Sequence, residues 1–364
     1  MDRPYINRLR IQNYGCIKDL ELELTPLHAL IGPNDSGKST VLMALRTLTR
    51  LAAGVLSGAD DSNKLATGIV LNPGMDLAAT VSNETWRLNS TAPDHVNEII
   101  KSKRQSSTVT MNLGQGSKFL KAEEQMRRAL AGSVLLRLDP DALRAPTKLI
   151  PEGQPLRFMN AFGLGLPAIY DAIVTRDLHD YMRINARLTE LFPTVKSLSL
   201  KNPSDQTKAL GVQLLDGSVV GADFMSEGML YFLAYAALRH LEPTAVILVE
   251  EPENGLHPAR IREVLDVLRE ISQTTQVILA THSPLVINEL EPNEVTVLTR
   301  DPVLGTRGKL LRDTPNFAER SKVYALGELW VSYADGNVEA PLFTEPEAVQ
   351  DPGDPVEWHE LDDR

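Results

Sequence analysis

Residues 27–40 read Leu-His-Ala-Leu-Ile-Gly-Pro-Asn-Asp-Ser-Gly-Lys-Ser-Thr and contain the pattern from which the fold class follows. The apolar run 27–31 predicts a short buried strand that stops at Gly32. After the glycine-rich turn, apolar residues recur at helical spacing over 41–48. A strand, a G-x-x-x-x-G-K-S loop and a helix in this order predict a phosphate-binding loop in an α/β domain.

The chemistry of this loop is anion binding. The first N–H groups of a helix have no partner inside the helix and lie at its positive end. Gly32 and Gly37 let the backbone curl around a phosphate chain. Lys38 adds a positive charge beside the β- and γ-phosphates, and the Ser39 hydroxyl can bind Mg²⁺. The predicted nucleotide-binding residues are Gly32, Pro33, Asn34, Asp35, Ser36, Gly37, Lys38, Ser39 and Thr40.

Two acidic residues follow a second predicted strand. Residues 245–249 form an apolar run typical of a strand buried on both faces of a parallel sheet, and Glu250 and Glu251 come directly after it. Carboxylates at the end of a buried strand are costly unless a cation or a catalytic task accounts for them. Beside a phosphate loop, we expect Glu250 to bind Mg²⁺ directly or through water. We expect Glu251 to orient and polarise the attacking water.

Two further positions complete the predicted site. His282 follows a third buried strand at 276–280, and sheet order would bring it to the γ-phosphate as a hydrogen-bond donor. A purely structural histidine is the alternative. Ser226 and Gly228 open an apolar helix over 229–241, where Ser226 suits the N-cap position. Helix capping alone accounts for what is visible locally at Ser226.

Length and composition exclude several classes of protein. The chain has 364 residues, of which 43% are apolar and 23% charged, and these values are typical of a globular protein. Its single cysteine, Cys16, cannot form an internal disulfide. No apolar run approaches the roughly 18 residues of a membrane span. We therefore expect a cytoplasmic protein without a membrane partner.

The net charge of −11 is concentrated at the end of the chain. Residues 335–364 hold ten acidic residues against one basic residue, so the rest of the chain is nearly neutral. A Pro-rich acidic segment predicts a disordered tail over 336–364. The low pI therefore does not argue against nucleic acid as a partner of the body.

The middle of the chain lacks sustained heptads and predicts a compact inserted lobe. The expected division is a core that includes 1–51 and 194–335, with the inserted lobe at 52–193. Strands are predicted at 69–71, 77–81, 85–88, 195–200 and 209–215, and helices at 121–136 and 167–192. Asp216 and Gly217 predict a hairpin turn.

A basic segment lies inside this lobe. Residues 101–148 carry ten basic and four acidic residues. The excess predicts either a contact with the phosphate backbone of DNA or a solvated helix face, and the sequence leaves both interpretations open.

The four motifs, in this order, resemble those of ATP-binding-cassette (ABC) type ATPases, in particular the soluble RecF, SMC and OLD-like branch. IGPNDSGKST at 31–40 resembles Walker A, and FMSEGM at 224–229 resembles a divergent signature motif. VILVEEPENGLHP at 246–258 resembles Walker B with its D-loop, and ILATHSP at 278–284 resembles the His switch. GLHP at 255–258 and ALGELWVSYADG at 325–336 are similar to bacterial AAA-family ATPases of anti-phage defence and toxin-like gene pairs.

The resemblance implies a P-loop NTPase of the ABC-ATPase fold, with a mixed β-sheet, helices on both faces and an inserted lobe. It implies ATP and Mg²⁺ as ligands and a head-to-tail homodimer. In that dimer, Ser226 of one copy contacts the γ-phosphate held by the other copy. The implied role is control of a partner effector, a nuclease or toxin, in anti-phage defence. The alternative is a RecF-type ATPase of DNA repair or chromosome maintenance that binds DNA itself.

Two positions depart from the pattern of the family. Glu250 stands where an aspartate is usual, and Glu227 interrupts the usual small residues of the signature. No Q-loop glutamine is evident, although Gln115 and Gln154 are candidates.

Overall fold

The computed structural model describes residues 4–56, 75–81, 84–90, 107–112, 125, 128–315 and 317–333. Within these ranges the chain forms three sheets and a set of helices packed against them. None of the helices described is long and apolar enough to cross a membrane.

The central layer is a six-stranded mixed sheet in the order β15-β14-β3-β13-β12-β7. Its strands are β3 (Leu27–Ile31), β7 (Ser133–Leu136), β12 (Val246–Glu250), β13 (Gln276–Thr281), β14 (Val295–Asp301) and β15 (Gly305–Leu310). All neighbours are parallel except β14 and β15, which form an antiparallel pair. The apolar runs predicted as buried strands at 27–31, 245–249 and 276–280 therefore lie side by side.

A second, antiparallel sheet has the order β2-β1-β4-β5-β6. Its strands are β1 (Ile6–Tyr14), β2 (Ile17–Glu23), β4 (Asp76–Val81), β5 (Glu84–Ser90) and β6 (Ser107–Asn112). A third sheet contains β8 (Thr147–Lys148), β9 (Val195–Ser204), β10 (Thr207–Leu214) and β11 (Val219–Gly221). The predicted turn at Asp216 and Gly217 joins β10 to β11, which pair antiparallel.

The helices are α1 (Lys38–Leu56), α2 (Pro140–Arg144), α3 (Leu166–Arg176), α4 (Leu178–Leu191), α5 (Glu227–Ala237), α6 (Pro258–Ser272), α7 (Pro284–Asn288), α8 (Phe317–Arg320) and α9 (Leu326–Tyr333). Short 3₁₀ turns occupy Ala222–Phe224, Leu238–His240, Pro292–Glu294 and Leu311–Asp313. The predicted helix 229–241 thus begins two residues earlier, and its last turn is a 3₁₀ turn.

Two apolar clusters cover the two faces of the central sheet. Residues on one face of β13, such as Ile278, pack with the apolar face of α1 and with β1, β2 and β4. Residues on the other face, such as Leu279, pack with α3, α4, α5 and α6. Both faces of the sheet are therefore buried, which is why its parallel strands are continuously apolar.

The structure corrects two predicted helices and leaves other assignments as predictions. The predicted helix 167–192 is divided at Asp177, which caps α4, into α3 and α4. Residues 133–136, predicted as the end of a helix, form β7, because their backbone pairs in register with β12 at the sheet edge and Leu135 and Leu136 are buried. An apolar run as short as residues 134–136 does not distinguish helix from strand by its periodicity. The predicted strand 69–71 and the tail 336–364 lie outside the described residues. The boundaries of the inserted lobe stay a prediction, while β4 and β7 are hydrogen-bonded into the two larger sheets.

A histidine lies at the centre of the fold. His28 of β3 is fully buried between two threonines, with its Nδ1 3.1 Å from Thr25 Oγ1 and its Nε2 2.9 Å from Thr296 Oγ1. Burial lowers the pKa of His28 to about 3, because the charged ring would lose its hydration. The folded protein therefore holds this imidazole neutral, whereas the unfolded chain protonates it near pH 6.5.

This difference predicts a pH dependence of stability. Because the pKa is lower in the folded state, His28 opposes folding as the pH falls below about 6.5, by about 1.4 kcal/mol per pH unit. Replacement of His28 by Gln should remove this part of the slope when the free energy of unfolding is measured by denaturant titration between pH 6.5 and 5. The exposed histidine His179 provides the control, and His179→Gln should keep the slope. An unchanged slope in His28→Gln would contradict the assignment.

Candidate nucleotide-binding site

Three parallel strands end at the same edge of the central sheet, and the predicted site residues follow them there. β13 lies between β3 and β12, with Thr281 paired to Ile31 and Ala280 paired to Glu250. The residues that follow these strand ends therefore emerge together: the glycine loop after β3, His282 after β13 and Glu251 after β12. This is the edge at which open α/β sheets bind their ligands.

The glycine loop requires its two glycines. A Cβ atom on Gly32 would overlap the carbonyl oxygen of Leu298 and lie 2.5 Å from Ser36 Oγ. Gly37 has φ +99°, and a Cβ atom there would lie 2.5 Å from Thr306 Oγ1. Any side chain at either position would displace the loop from the strands beneath it.

Lys38 lies at the centre of the site. Its Nζ donates hydrogen bonds to the carbonyl oxygens of Gly32 (2.7 Å) and Pro33 (2.9 Å). The pKa of Lys38 lies below its ordinary value because burial disfavours the ammonium. The carboxylates of Glu251, Glu253 and Glu250 oppose this shift, so all three lie within electrostatic range of the ammonium.

The remaining loop residues have distinct environments. Asn34 and Ser39 are exposed, whereas Ser36 is buried. Asp35 has a left-handed backbone with φ +70°, and its Oδ1 pairs with Arg300 Nη1 at 3.0 Å. Thr40 Oγ1 lies 3.3 Å from the sulfur of Cys16, beneath the loop.

Glu251 is held in a strained and well-defined position. Its φ is +48°, a conformation that costs a non-glycine residue of order 1–3 kcal/mol. Its N–H donates to Ala280 O at 2.7 Å, and Asn254 Nδ2 donates to its Oε2 at 2.6 Å. His282 Nδ1 lies 3.6 Å from Glu251 Oε1. The two predicted catalytic side chains are thus neighbours, and Asn254 orients the carboxylate.

The carboxylate of Glu250 already has a cationic partner. Arg137, the residue directly after β7, donates from Nη2 to Glu250 Oε1 at 2.8 Å, and its Nε contacts Glu250 Oε2. The Glu250 side chain is 13% exposed and that of Arg137 is 44% exposed. Both oxygens of the predicted metal ligand are therefore engaged by one guanidinium.

Two buried polar oxygens in this region have no hydrogen-bond partner within the described part of the chain: Ser36 Oγ and Glu253 Oε2. The other oxygen of Glu253 accepts a hydrogen bond of 2.6 Å from Thr281 Oγ1. Buried polar groups are nearly always hydrogen-bonded, so these two oxygens indicate a ligand. Together with the loop N–H groups, Ser39 and the acidic residues, they fit Mg²⁺ and a phosphate chain.

Ser226 lies at the N-terminus of another element, α5. It is exposed, and its Oγ accepts a hydrogen bond of 3.4 Å from Met229 N as the helix N-cap. A Cβ atom on Gly228 would meet open space. In the residues described, no hydrogen bond or ion pair joins Ser226 to the glycine loop. The structure thus brings Lys38, Glu250, Glu251 and His282 together and leaves Ser226 on a separate exposed tip.

Sequence reasoning missed three residues that shape the site. Arg137 pairs with Glu250, Glu253 contributes a buried oxygen, and Arg144 donates to the carbonyl oxygens of Ala222 and Met225 before Ser226. Recognition of β7 as a strand beside β12 would have placed Arg137 at the sheet edge. For Arg144 the sequence carries no local signal, because its contacts are made 78 and 81 residues away.

Two family models match the chain. The family described as AAA domain, putative AbiEii toxin, Type IV TA system, matches residues 161–288. The family described as AAA ATPase domain matches residues 5–112. An OLD nuclease from Thermus scotoductus is 45% identical over 40 residues, which are 11% of this chain and 8% of that protein.

The chain is similar to solved structures of SMC head domains, and one of them shares its architecture. The crystal structure of an SmcHead bound to the C-winged helix domain of ScpA is similar with a TM-score of 0.54 and 16% identity, and the similarity covers 84% of this chain and 98% of that chain. An SMC head domain from Thermotoga maritima gives a TM-score of 0.45 and 12% identity, over 85% of this chain and 98% of that chain. The SmcHead structure confirms the predicted mixed α/β fold, and the two AAA family models, each over a part of the chain, support the resemblance to ABC-, SMC- and OLD-like ATPases.

The close approach at Gly32 gives a test of the loop. Gly32→Ala should weaken the binding of a fluorescent ATP analogue by about tenfold or more, because the added methyl group must displace the loop or Leu298. Gly221→Ala, whose methyl group would enter open space, is the matched control and should bind as the wild type does. Melting temperatures establish that both variants fold. Unchanged binding in a folded Gly32→Ala protein would contradict the assigned loop.

Proposed function

We propose that this chain binds and hydrolyses ATP with Mg²⁺, forms a head-to-tail homodimer around two ATP molecules and controls a separate effector protein, a nuclease or toxin, in anti-phage defence. One observation carries this proposal. Lys38, Glu251 and His282 converge at one sheet edge, while Ser226 is presented to solvent on a different helix tip. A site divided in this way is completed when a second copy adds its tip.

Within one copy, each side chain has a defined task. Lys38 and the N-terminus of α1 bind the β- and γ-phosphates, where they balance the charge that develops during phosphoryl transfer. Glu251, oriented by Asn254, accepts a hydrogen bond from the attacking water and polarises it. His282, 3.6 Å from Glu251, donates a hydrogen bond to the γ-phosphate or to that water.

Ser39 and Glu250 would hold the metal ion. A hydroxyl and a carboxylate are the hard oxygen donors that Mg²⁺ prefers. When bound, Mg²⁺ neutralises charge on the β- and γ-phosphate oxygens. The exposed Ser39 hydroxyl in the first turn of α1 is accessible to it.

The second copy would supply Ser226. The N-terminus of α5 carries unpaired N–H groups and a positive dipole end, which suit a terminal phosphate. The residues just before Ser226 are held by Arg144, and Phe224 is 85% exposed beside it. An exposed aromatic residue next to a phosphate-binding tip is typical of an interface that closes on a partner.

Control of an effector is supported by what the matched family and one relative are called. The matched family is described with a toxin, and one relative is named a nuclease. Among the described residues, a single group of three His, Asp or Glu side chains has metal-ligand spacing: Asp177, Asp180 and His240. Asp177 caps α4 and Asp180 pairs with Arg183.

The DNA-binding alternative rested on the basic segment 101–148. Two of its ten basic residues, Arg137 and Arg144, are engaged inside the protein, with Glu250 and with the loop before Ser226. Residues 101–106, 113–124 and 126–127 lie outside the described part of the chain. Contact with DNA through this segment therefore stays a hypothesis.

Glu251→Gln provides the test. The variant keeps the hydrogen-bond geometry at this position but polarises water poorly, so it should accumulate as an ATP-bound dimer. Light scattering at saturating ATP should give twice the chain mass of 40.1 kDa. Lys38→Ala should remain monomeric. A Glu251→Gln protein that binds ATP and stays monomeric would contradict the dimer.

The Glu251→Gln variant can also be used to identify the partner protein. Purified from its own cells in ATP, Glu251→Gln should retain a protein with nuclease or toxin activity, and Lys38→Ala should not. Retention of DNA alone, lost at higher salt, would favour the RecF-type alternative.

A further inference from the structure

Arg137 occupies the position of a cation at the predicted metal ligand. Its guanidinium binds both oxygens of Glu250, and bidentate pairs of this kind are the strongest that a carboxylate forms with a side chain. Its backbone is fixed as well, because the N–H of Arg137 donates to Ala161 O at 2.8 Å. Glu250 is thus neutralised by the protein itself at the place where Mg²⁺ is expected.

We propose that Arg137 is an internal competitor of the divalent metal: it holds Glu250 in the nucleotide-free state and must release it when Mg²⁺ and nucleotide bind. The inference rests on the proposed ATPase function and concerns the same site. Arg137 is a positioning residue, because it acts through Glu250.

Electrostatics makes the two states exclusive. Arg46 of α1 lies within electrostatic range of Arg137: burial lowers the pKa of Arg46, and the positive charges of Arg50 and Arg137 add to that effect. A divalent cation placed at Glu250 would raise the local positive charge further. Since Arg137 is 44% exposed, its side chain can leave for solvent or for an incoming phosphate, whereas Glu250 is 13% exposed and stays.

A series of contacts links Arg137 to the exposed N-terminus of α5 at Ser226. The segment that it begins continues through Leu138, whose carbonyl oxygen accepts a hydrogen bond of 3.4 Å from Tyr231 of α5. The segment ends at Arg144, which donates to Ala222 O at 3.3 Å and to Met225 O at 3.4 Å. One short stretch, residues 137–144, thus contacts the metal ligand at one end and the loop before Ser226 at the other. Replacement of Arg137 by a metal ion at Glu250 would therefore shift the N-terminus of α5 with Ser226, which is proposed to contact the second copy.

The chain offers a matched control in a second ion pair. Arg269 binds both oxygens of Glu294 at 2.9 and 3.0 Å, with side chains 40% and 13% exposed. The geometry and exposure are nearly those of Arg137 and Glu250. This pair joins α6 to the loop before β14 and lies outside the nucleotide site.

The experiment measures Mn²⁺ binding in the presence of ADP, from the electron paramagnetic resonance signal of the free ion. ADP lacks the γ-phosphate, so a contact between Arg137 and that phosphate cannot affect the measured affinity for Mn²⁺. Arg137→Ala, which adds no ligand of its own, should bind Mn²⁺ about fivefold more tightly, a factor that corresponds to about 1 kcal/mol. Arg269→Ala should bind as the wild type does. Arg137→Lys, which keeps the charge and loses the bidentate geometry, should lie between them.

The outcomes separate this inference from the proposed function. If the wild type binds Mn²⁺ and ADP while Arg137→Ala has the same or a weaker affinity, the competitor role is wrong and the ATPase assignment stands. If the wild type binds neither ADP nor Mn²⁺, the proposed function itself fails.

Hydrogen–deuterium exchange of residues 222–230 tests the path to the tip. In the wild type, Mg²⁺ and ADP should change the exchange of this segment. Arg137→Ala without ligand should already show the ligand-bound exchange, and Arg269→Ala should not. Exchange in Arg137→Ala equal to that of the ligand-free wild type would overturn the coupling.

Discussion

The parallel register of β3, β13 and β12 is the constraint on which the rest of the site depends. Because Thr281 pairs with Ile31 and Ala280 pairs with Glu250, residues separated by more than 200 positions in the chain emerge at one sheet edge. The apolar side chains of these strands are buried on both faces, between α1 on one side and α5 and α6 on the other. The core therefore holds Lys38, Glu251 and His282 at one sheet edge without a ligand, which is the preorganisation that the proposed phosphoryl transfer would require.

Much of this arrangement could be predicted from the sequence because its signals are local. A glycine loop between an apolar run and a helix, and acidic residues at the end of an apolar run, each identify a strand end by themselves. The ion pair between Arg137 and Glu250 has no such signal, since it depends on pairing of β7 with β12 across more than 100 residues. The four-residue β7 is also too short for its period to separate strand from helix. The same limit applies to Arg144, whose role is visible only once the loop before Ser226 lies beside α2.

The proposed site consists of two parts with different physical character. The part around Lys38 is half-buried, charged and held by strand ends, and it includes the strained backbone of Glu251 and buried oxygens without partners. The part around Ser226 is an exposed helix tip with an exposed aromatic residue beside it. Residues 137–144 contact both. This division suits the proposed role, in which the output is a change of assembly, because occupancy at one part would alter the surface presented by the other.

In the proposed dimer, one copy binds the nucleotide and the second copy completes the site. A mixture of two inactive variants, Lys38→Ala and Ser226→Arg, tests it most directly by ATP turnover. Random pairing gives mixed dimers in which one of the two sites combines an intact Lys38 with an intact Ser226, so the mixture should recover up to roughly a quarter of the wild-type rate. Turnover by Ser226→Arg alone at the wild-type rate, or no recovery on mixing, would contradict a site shared between copies.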